Sequence, residues 1–468
     1  MAAPPDTAAA EKGGFRAWLN KRLPVDEFVE SQLTGYFAPK NFNLWYFFGA
    51  LAMLVFVIQI LSGIFLTMHY KPSEAEAFNS VEYIMREVEW GWLIRYMHST
   101  GASFFFVVVY LHMFRAMMYG SYRAPRELLW ILGMLLYLAL MAEAFMGYVL
   151  PWGNMSYWGA QVIVNLFGTI PVIGPGLVEW IRGDYGIADS TLNRFFALHV
   201  IALPFAIAFL ILMHLVALRQ TGSNNPDGIE IKDKLDANGK PLDGIPFHPY
   251  YTVHDLFGYG VFFIIFFSVV FFAPEMGGYF LEWNNFIPAD PLTTPSHIAP
   301  VWYFTPYYSI LRAVTTEFMW VLTIGVVAYG FLVFRTLRNP TARYAALAIT
   351  LVAALVMFPK SPLALDAKLW GVIAMGASVM IFFGMPWLDQ SPARSMRYRP
   401  SWHFWMLMGF VVVFLVLGYF GTQAPSLANE RTSQVGTVLY FAYFLLMPWW
   451  SRMGTPKPVP ERVTFAAH

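Results

Sequence analysis

The sequence predicts an all-α, polytopic membrane helix bundle of about ten transmembrane helices. Three observations carry that prediction. Hydrophobic residues fill 57% of the 468 positions and charged residues only 13%, against about 25% charged in ordinary soluble domains. Ten apolar stretches approach the roughly 20 residues that a helix needs to cross the hydrocarbon core. Lysine and arginine gather in every second loop, as the positive-inside rule requires.

Residues 1–42 read as a polar cytoplasmic segment. They carry Lys12, Arg16, Lys21, Arg22 and Lys40 and lack the apolar core of a signal peptide. The spans then run at approximately Asn43–Met68, Trp92–Met118, Leu128–Leu150, Thr191–Leu218, Asp255–Phe272, Phe318–Phe334, Tyr344–Phe358, Leu369–Trp387, Phe404–Phe420 and Val435–Trp450. Arg115, Arg123 and Arg126 separate the second from the third. Arg219, Lys232, Lys234 and Lys240 follow the fourth, Arg335, Arg338 and Arg343 the sixth. Arg394, Arg397 and Arg399 follow the eighth, Arg452 and Lys457 the tenth. An even count keeps both termini in the cytoplasm. On the opposite side, Pro151–Ser190 and Ala273–Thr316 are long and rich in Pro, Gly, Trp and Tyr, the character of structured, functional loops. Gln220–Tyr250 reads as a polar surface loop.

Cysteine is absent, which excludes disulfides, thiolate zinc sites, cysteine-ligated iron–sulfur clusters and covalently attached c-type haem in this chain. Any such centre belongs to a partner. A net charge of +1 and the lack of a basic run give no reason to expect nucleic acid.

Four histidines carry the chemistry. His98 and His112 lie 14 residues apart on the second span, and His199 and His214 lie 15 apart on the fourth. Fourteen residues rise ~21 Å and return to within roughly 40° of whole turns; fifteen overshoot by about 60°, which a kink at Pro204 would absorb. Both spans run from the outer side inward, so His98 and His199 share one depth, His112 and His214 the other. Neutral imidazoles are axial haem ligands, and cross-pairing gives two bis-histidine irons. A single histidine in a span is more often a bundle residue or proton relay; two depth-matched pairs favour haem. Gly49 and Gly63 on the first span, and Gly133 and Gly147 on the third, repeat the 14-residue interval. They predict helices bared where a flat macrocycle passes, although small residues also serve plain helix packing. Arg95 and Arg115, each three residues from a ligand, are candidates to pair with haem propionates.

At this point the chain resembles the cytochrome b family, over nearly its whole length. The motifs are Gly91-Trp92-Leu93-Ile94-Arg95-Tyr96-Met97-His98, Phe145-Met146-Gly147-Tyr148-Val149-Leu150-Pro151-Trp152-Gly153, Met155-Ser156 with Trp158-Gly159-Ala160, Leu192-Asn193-Arg194-Phe195-Phe196 and Pro300-Val301-Trp302-Tyr303. Its unsplit length argues against the plastid-type bf arrangement. The resemblance implies a bacterial inner-membrane subunit with two b-type haems, in a ubiquinol:cytochrome c oxidoreductase running a Q cycle. It also implies a Rieske iron–sulfur protein and a cytochrome c-type subunit as partners, and a dimer of complexes. By motif position the quinol pocket is lined by Phe145, Met146, Tyr148, Gly159, Ala160, Pro300 and Tyr303. At the inner quinone site Asp255 and His254 supply protons while Arg219 or Ser223 orients the quinone. The chain then divides into residues 1–42, a haem-binding core with its loop (43–250), and a C-terminal part (251–468) containing the pocket loop (273–316).

Three departures from the family pattern stand out. The family commonly has a glutamate where this chain has Val301, and valine accepts no proton; Glu143 and Glu317 are candidates to stand in. Arg219 occupies a position where relatives often have histidine. The family core has eight spans, so residues 316–366 are a surplus helix pair. A proton-relay transporter, or a two-haem anchor without a quinol pocket, would also place histidines in spans. A reduced-minus-oxidised spectrum separates the first, and oxidant-induced haem reduction the second.

Overall fold

The structure, a computed structural model, describes residues 14–465; Lys12 and the rest of 1–13, and residues 466–468, lie outside the described residues. The chain is built from helices. The main ones, in order, are α1 (Phe47–Thr67), α2 (Gly91–Tyr119), α3 (Glu127–Val149), α4 (Asn154–Phe167), α5 (Gly174–Arg182), α6 (Asp189–Thr221), α7 (Phe247–Phe272), α8 (Thr305–Ala313), α9 (Phe318–Thr336), α10 (Pro340–Met357), α11 (Ala367–Leu388), α12 (Ser401–Thr422) and α13 (Leu427–Leu445); a helix at Ala77–Arg86 joins α1 to α2, and shorter helices and turns lie elsewhere. Asn339, Asp366 and Ser426 start α10, α11 and α13 by accepting a backbone N–H in the first turn, the usual N-cap device.

Among the described residues nine helices are long and apolar enough to cross a membrane. The tenth expected span, Val435–Trp450, is α13, which begins earlier and ends at Leu445 before a short turn at Met447–Trp450. Its first half, Leu427 to Gln434, is too polar to read as a span. Those polar groups are spent inside the bundle: Ser433 accepts from Ser309 at 2.9 Å, and Gln434 donates to the Ala313 carbonyl at 3.2 Å. Buried polar groups of a membrane helix need such partners.

Two helix pairs form the core, α1 on α2 and α3 on α6, with α7 against the first pair; α8 packs between α11, α12 and α13. The surplus residues form an antiparallel hairpin, α9 and α10. A side chain at Gly330 would meet Thr350 at 2.1 Å, so glycine permits the close crossing. Ile324, Phe331, Ile349 and Val352 point outward, an apolar face for lipid.

On the inner side the arginines read as topology markers have structural partners. Arg126 grips Glu230 bidentately at 2.6 and 2.8 Å, and Arg394 joins the same carboxylate. Lys40 and Arg462 both meet Asp243, at 2.8 and 2.7 Å, holding its carboxyl well below the usual range against the opposing effect of burial. Strand β1 (Phe37–Pro39) pairs antiparallel with β2 (Gly244–Pro246). These contacts fasten the N-terminal segment, the Gln220–Tyr250 loop and the C-terminal tail together.

Candidate functional site

Cross-pairing of the histidines is what the helices deliver. The rings of His98 and His199 are 6.2 Å apart between centres, and those of His112 and His214 are 6.5 Å apart. Two metal–imidazole bonds of about 2 Å, plus half of each ring, span roughly the same distance, so one iron fits between each pair. The outer imidazoles are held by their far nitrogens. Ser62 spends its proton on the Ile58 carbonyl at 2.6 Å, so its oxygen accepts from His98 Nδ1–H at 2.9 Å. His199 Nδ1 lies 2.9 Å from the Glu143 carbonyl and 3.0 Å from its Oε1. Each bond fixes the tautomer that leaves Nε2 free to ligate a metal.

The 15-residue interval is absorbed by a π-turn, Leu198–Ala202, that contains His199. Pro204 lacks the N–H that an α-turn would use, and Leu203 N–H reaches back to Leu198 instead. The wider turn takes up the extra residue, a device common at functional sites. The expected proline kink is therefore a local widening just before the proline.

The glycines serve the imidazoles directly. A Cβ at Gly49 would sit 3.3 Å from His112, at Gly63 3.3 Å from His98, at Gly133 3.3 Å from His214, and at Gly147 2.4 Å from His199. The first span thus makes room for the second span's histidines, and the third for the fourth's. Gly147→Ala should therefore disturb its haem more than Gly133→Ala, by about 1–3 kcal/mol of overpacking. The separate α-bands of a reduced-minus-oxidised spectrum would read this, and equal losses would contradict it.

A cavity of ≈ 540 Å³ joins the outer histidine pair to the outer loop. Arg95, Glu143, Gly147, Tyr148, Asn285, Val301 and Tyr303 are among its lining residues. Tyr148 donates to Glu282 at 3.0 Å, and buried Tyr303 stacks on Phe106 at 3.9 Å. The two long outer loops are stitched together: Asn154 N–H bonds the Ile287 carbonyl at 2.9 Å and Ala289 N–H the Trp152 carbonyl at 3.0 Å.

Other expected pocket residues sit elsewhere. Phe145, Met146 and Ala160 do not line this cavity; they turn to a second apolar cluster with Tyr157 and Phe195. Helical period separates 145 and 146 from 144, 147 and 148, which face the cavity. A Cβ at Gly159 would sit 3.7 Å from the Tyr148 ring, and Pro300 is half-buried outside the lining. Glu317 is exposed at the start of α9 and lines no part of the cavity, because a non-helical turn after α8 carries it outward. Glu143 engages His199.

At the inner end, the Arg115 guanidinium lies over Tyr46 at 4.6 Å with Nε unpartnered, an arrangement open to an anionic group. Arg219 covers Tyr36 at 3.8 Å with Nη1 unpartnered, and Ser223 meets Tyr36 Oη at 3.3 Å. His254 stacks on Phe47 at 4.0 Å. Because α7 starts at Phe247 rather than Asp255, His254 and Asp255 lie two turns inside it; Phe247 and Tyr251 connect His254 to the Tyr36 group. Sequence reasoning missed Tyr36, Ser62 and Glu282. Only Ser62, beside Gly63, carried a positional signal.

Comparison with known proteins gives concordant matches. The family described as Cytochrome b/b6/petB matches residues 33–222, and Cytochrome b(C-terminal)/b6/petD matches residues 288–366 and 357–441. Cytochrome b of Allochromatium vinosum is 53% identical over 460 residues, covering 97% of this chain and 100% of that one. Cytochrome b of Rickettsia bellii is 44% identical, covering 95% and 96%. A solved chain titled "Hyperthermophilic respiratory Complex III" aligns with a TM-score of 0.76 and 35% identity over 93% of this chain and 98% of that chain.

Proposed function

The chain belongs to the cytochrome b family, and on that premise we propose how its own residues divide the work. It is a multi-pass membrane protein that binds haem. It is the cytochrome b subunit of a quinol–cytochrome c oxidoreductase, which oxidises quinol on one side of the membrane and reduces quinone on the other.

Our reading assigns two b-type haems, one to His98 and His199 and one to His112 and His214. When bound, they supply one-electron carriers at two membrane depths. The chain's own contribution is to place four imidazoles in two facing pairs, to fix the outer two, His98 and His199, in the tautomer that frees Nε2, and to offer Arg95 and Arg115 to propionates. At the outer cavity Tyr148 and Tyr303 hydrogen-bond the quinol and Val301 contributes only bulk; Phe145, Met146, Gly159, Ala160 and Pro300 form the neighbouring wall. At the inner site Arg219 and Ser223, gathered on Tyr36, orient a quinone, and Asp255 with His254 delivers protons. The high-potential branch belongs to partners, a Rieske iron–sulfur protein and a cytochrome c-type subunit, because this chain has no cysteine. We assign the complex to the bacterial inner membrane, with both termini cytoplasmic, ubiquinol as the quinol and two complexes per dimer. Residues 43–250 act as the haem-binding part and 251–468 as the part that completes the outer pocket.

One observation carries this reading: two histidine pairs with ring centres 6.2 and 6.5 Å apart, the outer one opening into a cavity lined by tyrosines. The test uses the purified complex with its inner quinone site blocked. A pulse of oxidant should reduce b-type haem, because only quinol oxidation that splits its two electrons does so; haem that stays oxidised would refute the outer-site assignment.

A further inference from the structure

We propose that Glu282 is the carboxylate that accepts the proton leaving quinol at the outer cavity, receiving it through the hydroxyl of Tyr148. The proposal rests on the outer-site reading above and adds to it the missing acid.

Four observations lead to Glu282. Val301 lines the cavity and is buried, and its side chain carries no acceptor. Tyr148 lines the same cavity and its hydroxyl donates outward to Glu282 Oε2 at 3.0 Å. The other acids are committed or distant: Glu143 meets His199 Nδ1, Glu275 accepts from Tyr96 Oη at 3.2 Å, and Glu317 is exposed on α9. Finally, Glu282 stands on a rigid base. It precedes a short turn, Trp283–Asn285, whose Asn285 side chain accepts from Ser156 N–H at 3.0 Å, while Gly153 lies so close that a Cβ would meet Asn285 at 2.2 Å.

The proton balance is simple. As quinol loses its electrons to the oxidoreductase's two branches, one of its O–H bonds breaks. That proton bonds to Tyr148 Oη while the tyrosine's own proton moves to Glu282 Oε2. Tyr148 ends as it began, and Glu282 holds one proton. Half-buried Glu282, between buried Leu281 and exposed Trp283 and Asn284, then releases it to the outer aqueous side. The groups facing Glu282 are Tyr148 from α3 and Tyr303 from the pocket loop. Burial pushes the Glu282 carboxyl up to about 7, close to the operating pH that suits a proton acceptor.

The test compares wild-type, E282Q, Y148F and E282Q/V301E complexes, by the rate of quinol-driven haem b reduction from about pH 5.5 to 9. The wild-type rate should climb through pH 7 as Glu282 loses its proton. E282Q should run about 10²-fold slower at neutral pH and lose that step while both b-type bands persist; a merely structural role would leave the step in place. Y148F should lose the same step, and it carries the test if E282Q does not assemble. A carboxylate restored in E282Q/V301E should recover part of the rate. An E282Q or Y148F complex with the wild-type rate and pH profile overturns the proposal while leaving the outer site standing. A wild-type complex without oxidant-induced haem reduction removes the site itself, and Glu282's role with it.

Discussion

Replacing His214 by alanine is expected to strip one haem from the chain, removing one of two b-type α-bands and leaving the other in place. His112 and His214 face each other at 6.5 Å; in the proposed assignment one iron would be held between them, so the remaining imidazole would hold it alone. The neighbouring pair is displaced by about four helical turns, ~21 Å along α2, and shares no partner with it. Well-separated sites respond independently, so the His98/His199 band should persist. The expected readout is a reduced-minus-oxidised spectrum with half the haem per chain, together with loss of inner-side quinone reduction. Two unchanged bands in His214→Ala would remove the bis-histidine assignment.

That arrangement was legible in the sequence because it depends on spacing. An apolar run of about 20 residues has few alternatives in a bilayer, and histidines 14 or 15 apart on two helices of the same direction must share depths. Glycines at the same interval fall opposite them. What they face is not set by interval alone: it depends on which helices pack together, and α1 on α2 with α3 on α6 puts a glycine behind every imidazole. The π-turn at Leu198–Ala202 was visible only as one surplus residue and a proline. Glu282 was not visible at all. Its position depends on the Ala273–Thr316 loop folding back onto Trp152–Asn154, a long-range pairing without periodicity. The same limit hid the first half of α13, whose Ser433 and Gln434 look soluble in sequence and are buried against α8. Phe145 and Met146 were assigned to the cavity from their motif, whereas helical phase turns them to the adjoining apolar cluster.

Asp389→Ala is expected to destabilise the protein by about 3–5 kcal/mol, because it strands a buried guanidinium. Asp389 and Arg399 have no exposed side-chain surface and meet at 2.6 Å. The carboxylate also accepts from Tyr122 Oη at 2.6 Å and from Ser391 N–H at 3.0 Å. Burial pushes this carboxyl up, but the Arg399 and Arg123 charges and these donors outweigh it and hold the group below its ordinary range. The sign follows: a depressed carboxyl contributes stability that is present above its unfolded value of about 4 and lost as pH falls below it. Thermal unfolding of the solubilised protein at neutral pH should therefore show a large drop in Asp389→Ala. Asp389→Leu with Arg399→Met, which removes both charges and keeps the volume, should recover much of it. A single variant within about 1 kcal/mol of wild type would show that the pair is dispensable. The consequence reaches beyond the pair, because the Asp389–Arg399 segment also carries Arg394 to Glu230, and Glu230 holds Arg126 at the inner end of α3. Loss of Asp389 should loosen the helix that provides Gly133 and Gly147, so haem retention should fall together with stability.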